Sequence, residues 1–113
     1  MADVVYINIE EGSKRVMNNV KLYVKLLAKF KDDPNFNEIN TAVAAGDNEK
    51  ARGCTHTLKG LAANLSLTEL YKQSLELETQ IKAGSINPDQ LNILKNVYEQ
   101  TLIETDKVIS QNA

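Results

Sequence analysis

The sequence contains little of what secreted, membrane-spanning or disulfide-linked proteins require. Among its 113 residues there is one cysteine, Cys54, so no internal disulfide can form and a reducing compartment is compatible. No stretch approaches the roughly 18 consecutive apolar residues that span a bilayer. The N-terminus also has no basic segment leading an apolar run. We therefore expect a cytoplasmic protein without membrane contact.

Positive charge and metal-ligating side chains are also sparse. The 13 Lys and Arg against 15 Asp and Glu leave a net charge of −2, which does not supply the basic surface that nucleic-acid binding needs. With one His, one Cys and no acidic cluster at ligand spacing, no dedicated metal site is expected. A chain this short buries one core but has little left for a deep closed pocket. We expect one domain over residues 1–113, acting as a carrier or binding module.

Few residues interrupt helix formation. There are two prolines and five glycines, and the segments between them carry apolar residues three and four positions apart, as amphipathic helices do. The sequence predicts helices at about residues 9–16, from a cap at Asn18 or Asn19 to the break at Asp32-Asp33-Pro34, and at 34–45, 48–65, 69–83 and 88–110. Short loops between long helices favour antiparallel neighbours. We expect an all-α fold, an up-down-up-down four-helix bundle with an additional short N-terminal helix.

Two helices carry the pattern of a reciprocal N-terminal cap. Asn8 is expected to cap the first helix with Glu11 as its partner three residues later. Asn87 is expected to cap the last helix with Gln90 in the same role.

Other helix ends are marked by proline, aspartate and glycine. Asp33 is expected to cap a helix that begins with Pro34. Gly46 is expected to end that helix in a left-handed conformation, with Asp47 capping the next one. Gly84 is expected to stop the helix at 69–83.

The apolar stripes of the helices predict which side chains form the core. They are Leu22, Leu26, Leu27, Phe30, Phe36, Ile39, Val43, Ala51, Cys54, Leu58, Leu61, Ala62, Leu65, Leu70, Leu77, Ile81, Leu91, Leu94, Tyr98, Leu102, Val108 and Ile109.

The only histidine, His56, lies on the helix predicted for residues 48–65. A rotation of 100° per residue places the core residues of this helix between about 140° and 240° from His56. His56 is therefore expected to point directly away from the core, which excludes a buried structural histidine. Its neighbours on the outer face are Glu49, Arg52, Gly53, Lys59, Gly60 and Ala63.

Gly53 and Gly60 flank His56 on this outer face. Each costs a mid-helix position about 1 kcal/mol relative to alanine. Their lack of side chains clears space, so that a partner surface can approach the imidazole closely. The alternative is that the two glycines allow another helix to pack there.

Two basic residues accompany His56. Lys59 lies one turn along on the same side, where its charge disfavours imidazolium and can offset the charge of an attached phosphoryl group. Arg52, on the other turn, can act in the same way. Lys59 or Arg52 alone would be interpreted as an ordinary solvated charge. Together with His56 they indicate that this surface of the helix is reactive.

The segment HTLKGLAANL, His56 to Leu65, resembles the signature of histidine phosphotransfer (HPt) domains, the phosphoryl relay modules of two-component signalling. The family pattern His-x-Leu-Lys-Gly is filled at every position. Essentially the whole chain is covered, because the resemblance extends to Gly46-Asp47, Ala63-Asn64-Leu65, Leu70 and Leu77-Glu78.

The chain departs from the common family pattern at several positions. Many members have glycine where this chain has Ala63 and Ser66. Alanine keeps the face open, and Ser66 is expected to change the turn geometry more than the chemistry. Ser74 occupies a position where a Cys or another small residue is common. Lys82 falls near a position where a basic residue often supports the phosphoryl group.

The resemblance implies a phosphoryl carrier rather than an autonomous enzyme. His56, through Nε2, would take a phosphoryl group from a receiver-domain aspartate of a response regulator and pass it to another receiver, with Lys59 as electrostatic helper. A hybrid sensor histidine kinase is a further candidate partner. The chain would act as a monomer without a cofactor or ATP site, and magnesium would be held by the receiver. The residues expected to contribute to binding are Arg52, Gly53, Gly60, Ala63 and Lys82.

Two alternatives remain open at this point. The chain could be the phosphoacceptor domain of a chemotaxis-type histidine kinase, in which an ATP-bound catalytic domain is the donor. It could also be a helical adaptor whose histidine face is a docking surface that is never phosphorylated.

Overall fold

The computed structural model describes residues 4–112, and this range contains six α-helices and no strand. They are α1 (Ile9–Arg15), α2 (Val20–Phe30), α3 (Asn35–Ala44), α4 (Asn48–Asn64), α5 (Thr68–Ala83) and α6 (Pro88–Gln111). Residues 1–3 and 113 of the expected single domain lie outside the described residues. None of the described helices has the length and apolarity needed to cross a membrane.

The helices pack side by side around one core. α4 packs against α3 and α5, α5 packs against α6, α2 packs against α6, and α1 rests on α2. Tyr98 of α6 stacks on Phe36 and meets Phe30 edge-on, with ring centroids 4.2 Å and 6.0 Å apart. The predicted all-helical bundle with a short N-terminal helix is confirmed. The largest fully buried apolar side chains are Tyr23, Leu27, Ile39, Leu58, Leu67, Leu70, Leu77 and Leu94.

Helix ends largely follow the predicted caps. The side chains of Asn8, Asn19 and Asp47 each accept the backbone N–H three residues further on. Gly46 and Gly84 both have a φ of 73°, the left-handed conformation in which glycine ends a helix at no steric cost. Local sequence is therefore sufficient to place these ends.

Asn8 and Asn87 cap their helices as predicted, but the reciprocal contacts of Glu11 and Gln90 were wrong. Other residues bond to the groups that would have formed these contacts. The backbone N–H of Asn8 donates to the carbonyl of Ser66 at 2.9 Å, and the Glu11 carboxylate accepts the Ser66 hydroxyl at 2.9 Å. Gln90 is buried and its amide donates to the side-chain oxygen of Gln73 on α5 at 2.9 Å. Neither Glu11 nor Gln90 returns to its own cap.

α3 begins one residue later than predicted. Pro34 occupies the capping position instead of Asp33. The Asp33 carboxylate still accepts a backbone N–H, that of Asn35, at 3.0 Å. Since proline has no N–H, Asn35 is the first donor this carboxylate can reach.

Some predicted core positions differ from the structure. Leu22 is 41% exposed and Tyr23 is fully buried instead, because α2 faces the bundle with the stripe Tyr23, Leu27 and Phe30. Ala42 is buried, whereas Val43 is only half-buried. The other predicted core residues that are only half-buried are Leu26, Cys54, Leu61, Leu91, Leu102 and Ile109.

α1 lies close to α2 because its contact residue is a glycine. A Cβ at Gly12 would lie 2.3 Å from the nearest atom of the Tyr23 ring. The Tyr23 hydroxyl donates to the carbonyl of Leu65 at 2.5 Å, which links α2 to the end of α4. The sequence pattern had not singled out Gly12.

Candidate functional site

α4 presents His56 to solvent and holds Lys59 at the edge of the core. The buried residues of α4 are Ala51, Thr55, Leu58 and Ala62. Their centre is turned by about 40° from the predicted stripe, towards Thr55. The His56 side chain is 65% exposed and that of Lys59 is 21% exposed. His56 therefore does not point directly away from the core, and both side chains reach towards α5.

Glu78 of α5 lies between these two side chains and binds both. Its Oε2 is 2.8 Å from Nδ1 of His56, and its Oε1 accepts from Nζ of Lys59 at 2.6 Å. The Glu78 side chain is only 2% exposed. Lys82, one turn further along α5, places its Nζ 4.0 Å from Oε2. The described residues contain no group of three or more His, Cys, Asp or Glu side chains that could hold a metal ion.

The charge state of Glu78 follows from these contacts. Burial raises the pKa of this carboxyl, but hydrogen bonds from Lys59 and His56 and the charges of Lys59 and Lys82 outweigh it, so the pKa lies below its usual value. At neutral pH Glu78 is an ionised carboxylate, which only accepts hydrogen bonds. Nδ1 of His56 must therefore carry the hydrogen in this contact. In the neutral ring the lone pair then lies on Nε2.

The surface of α4 around His56 is open. A Cβ at Gly53 or Gly60 would meet nothing within 4 Å among the described residues. No helix in the described part of the chain fills this space, so the packing alternative for the two glycines is contradicted. Arg52 is exposed and Ala63 is half-buried on the same helix.

The sequence reasoning missed the role of Glu78. In the sequence, Glu78 contributed only to the resemblance of Leu77-Glu78 to the family pattern, and no contact was predicted for its side chain. A signal was present, because Glu78 follows the core residue Leu77 and precedes the core residue Ile81 by three positions, at the border of the buried stripe. The partners of the Glu78 carboxylate on α4 depend on how α4 packs on α5, and only the structure shows this packing.

Comparison with known protein families now identifies the chain. The family model described as the Hpt domain matches residues 26–104, from within α2 to within α6. The chain belongs to the Hpt domain family. Searches of the curated proteins and of the solved structures returned no significant match.

Membership of the Hpt family confirms the resemblance that the sequence indicated. It implies a phosphotransfer role in two-component signalling, in which Hpt domains interact with response regulator receiver domains. In this Hpt domain the matched region contains His56, Lys59, Glu78 and Lys82, which the fold brings into one cluster.

Proposed function

We propose that this Hpt domain is a phosphoryl carrier in a multistep phosphorelay. Nε2 of His56 accepts the phosphoryl group from the aspartate of one receiver and yields it to the aspartate of another. The observation that carries the proposal is the exposed imidazole whose Nδ1 is bound to the buried carboxylate of Glu78 at 2.8 Å. This contact leaves Nε2 as the nucleophilic nitrogen, so the attack needs no general base.

The surroundings of His56 also suit the transfer of a phosphoryl group from a protein partner. Gly53 and Gly60 leave room for the surface of a receiver beside the ring. Lys82 is 58% exposed and Arg52 is exposed, so their charges are available to a phosphoryl group on His56. Magnesium, where the transfer requires it, belongs to the receiver. In this proposal the chain acts as a monomeric cytoplasmic domain over residues 1–113, with no ATP site of its own.

The test is phosphoryl transfer from a labelled receiver to the chain and to its His56→Gln variant. We expect the parent chain to gain an acid-labile, base-stable label and the variant to gain none. Because the side chain is 65% exposed, the variant should keep the helical circular dichroism of the parent.

The other outcomes of this experiment separate the alternatives. Label retained by the variant contradicts the assignment of His56. A parent chain that is labelled by an ATP-bound kinase domain but not by receivers is a kinase phosphoacceptor. A parent chain labelled by neither is the unphosphorylated adaptor.

A further inference from the structure

We propose that the exposed side of α2 is an electrostatic docking surface for receiver domains, separate from the cluster around His56. Its three lysines, Lys21, Lys25 and Lys29, attract the anionic side of a receiver and raise the rate at which the two proteins associate. This inference rests on the proposed function, because it assigns a further part of the contact to the same partner.

Positive charge in this chain is concentrated in one segment. Residues 12–31, from the middle of α1 to just beyond α2, contain six Lys and Arg and no Asp or Glu. The rest of the chain holds seven Lys and Arg and all 15 Asp and Glu, a net charge of −8. The total charge of −2 therefore combines one basic surface with an otherwise acidic molecule.

Half of the six cations have no carboxylate partner in the fold. The two cations of α1 pair with carboxylates of the same helix, and Lys31 pairs with Asp106 of α6. Lys21, Lys25 and Lys29 are exposed, and none of them forms a salt bridge with the residues that the structure describes. α2 itself contains no acidic residue that would neutralise them.

The three lysines form a continuous stripe on the side of α2 that faces away from the core. They are four residues apart, so the stripe extends over about 12 Å of the helix. A rotation of 100° per residue places them about 125–170° from the centre of the buried residues Tyr23, Leu27 and Phe30. Like charges at this spacing destabilise a helix. The isolated domain therefore gains nothing from the stripe, whereas an anionic partner relieves its repulsion.

The stripe borders an open groove between α2 and α4, the helix that carries His56. Lys29 lines this groove together with Leu26 of α2 and Leu61 of α4. Leu22, on the same side of α2, is 41% exposed. An apolar groove with cations along its edge has the composition of a protein interface, in which apolar contacts lie at the centre and charges at the rim.

A receiver domain carries the complementary charge. Its reacting group is an aspartyl phosphate, and carboxylates hold the magnesium beside it. The acidic remainder of the chain repels such a partner and the stripe attracts it, over a range of about 8 Å at physiological ionic strength. An anionic membrane or a nucleic acid is an extended polyanion that would also meet the acidic remainder. Charges at the rim of an interface act mainly on the association rate.

The test measures how fast receiver domains bind the chain. Purified receivers are loaded with magnesium and beryllofluoride, a stable analogue of the aspartyl phosphate. Stopped-flow fluorescence gives the association rate constants between about 0.01 M and about 1 M ionic strength, where the Debye length falls from about 30 Å to about 3 Å. We expect the triple variant Lys21→Gln, Lys25→Gln and Lys29→Gln to associate about tenfold more slowly than the parent at the lowest ionic strength. The two rates should converge at the highest ionic strength, and the dissociation rates should differ much less.

The matched control is the triple variant Lys72→Gln, Lys95→Gln and Lys107→Gln. It removes the same charge from exposed positions of α5 and α6. This variant should associate with receivers at nearly the parent rate. Circular dichroism checks that both triple variants keep the helical fold of the parent.

Each other result overturns the inference. A parent rate that does not change with ionic strength contradicts it without any variant having to fold, and so does a chain that binds no receiver. Equal rates in the parent and the stripe variant, or a control variant as slow as the stripe variant, also contradict it. A parent that sediments with phosphatidylglycerol vesicles, while the stripe variant does not, assigns the stripe to a membrane instead. Failure of His56 to accept a phosphoryl group refutes the proposed function, while the binding rates still decide the role of the stripe.

Discussion

Three glycines within helices occupy opposite kinds of environment. Gly53 and Gly60 have open space where a Cβ would lie, whereas a Cβ at Gly12 would lie 2.3–2.7 Å from atoms of the buried Tyr23 side chain. Because Gly53 and Gly60 have no side chains, the exposed surface beside His56 stays open. Gly12 is instead required by the contact between α1 and α2.

The substitution to alanine should therefore have opposite effects at these positions. Gly60→Ala should raise the free energy of unfolding by up to about 1 kcal/mol through helix propensity. Gly12→Ala should lower it by about 1–3 kcal/mol, since the Tyr23 ring must move and its hydroxyl is bonded to Leu65. Urea denaturation of the two variants measures both changes. A destabilised Gly60→Ala would mean that the space beside His56 is filled.

Glu78 shows why residue types alone do not define the site. His56 and Lys59 are one turn apart on one helix, so the sequence places them together. Glu78 comes 22 residues after His56 and reaches it only through the packing of α5 on α4. Its carboxylate, not the free charge of Lys59, is the group in direct contact with the imidazole.

At the scale of helices, α2 and α4 form an open groove beside the histidine surface. The groove has a volume of about 970 Å³. Its lining residues are Arg15, Val16, Leu26, Lys29, Phe30, Asp32, Asp33, Leu61, Asn64 and Leu65. On the surface of α4, Gly53 and Gly60 lie between His56 and the groove residue Leu61. A receiver that covers His56 therefore has this groove as neighbouring apolar surface.

The groove predicts a contribution of α2 to receiver docking. Leu26→Gln should raise the KM for a phosphorylated receiver about tenfold, in the range found for residues that anchor an interface. The matched control is Ile93→Gln, which changes a 43% exposed residue of α6 that does not line the groove. Equal KM values for the two variants would show that receivers do not use the groove. Circular dichroism checks that both variants fold.

The turn between α4 and α5 is another element whose geometry depends on distant partners. Ser66 has a φ of 56°, a conformation that strains residues other than glycine. Its carbonyl accepts from the backbone of Asn8 and its hydroxyl donates to Glu11. The turn therefore adopts a left-handed conformation without glycine, since hydrogen bonds to the start of α1 offset the strain.

At the scale of the whole molecule, the cluster of Glu78 links stability to pH. The pKa of Glu78 is lower in the folded chain than its usual value of 4.5. Its contribution to stability is therefore fully present above the unfolded pKa and is lost as the pH falls through the lower folded pKa. Glu11 is shifted in the same direction by its hydrogen bonds with Ser66 and Arg15.

Acid should therefore reduce the stability difference between the parent chain and Glu78→Gln. At about pH 7 the parent should be the more stable, because its carboxylate is ionised and paired with Lys59. At about pH 3 the difference in the free energy of unfolding should be smaller, since glutamine does not titrate. Urea denaturation at both pH values measures the change. A difference that stays constant would mean that Glu78 does not titrate in this range.

The sequence by itself determined the helical class, most helix ends, the exposure of His56 and the place of Lys59 one turn further along the same helix. These features depend on residues within one or two helical turns, where spacing, capping and propensity act directly. For the same reason Asp47 and Gly84 were placed correctly without tertiary information, and Asn19 was one of the two predicted caps of α2.

Tertiary structure decided the features that join residues distant in the chain. The rotation of α4, the burial of Tyr23, the contact of Gly12 and the pairing of Glu78 all depend on which helix faces which. Side chains bond to the partners that packing brings near: the Glu11 carboxylate accepts from Ser66, and the buried Gln90 amide donates to Gln73, so neither completes its local cap. The sequence places a histidine on an open surface, and the packing of α5 against α4 orients that histidine through Glu78.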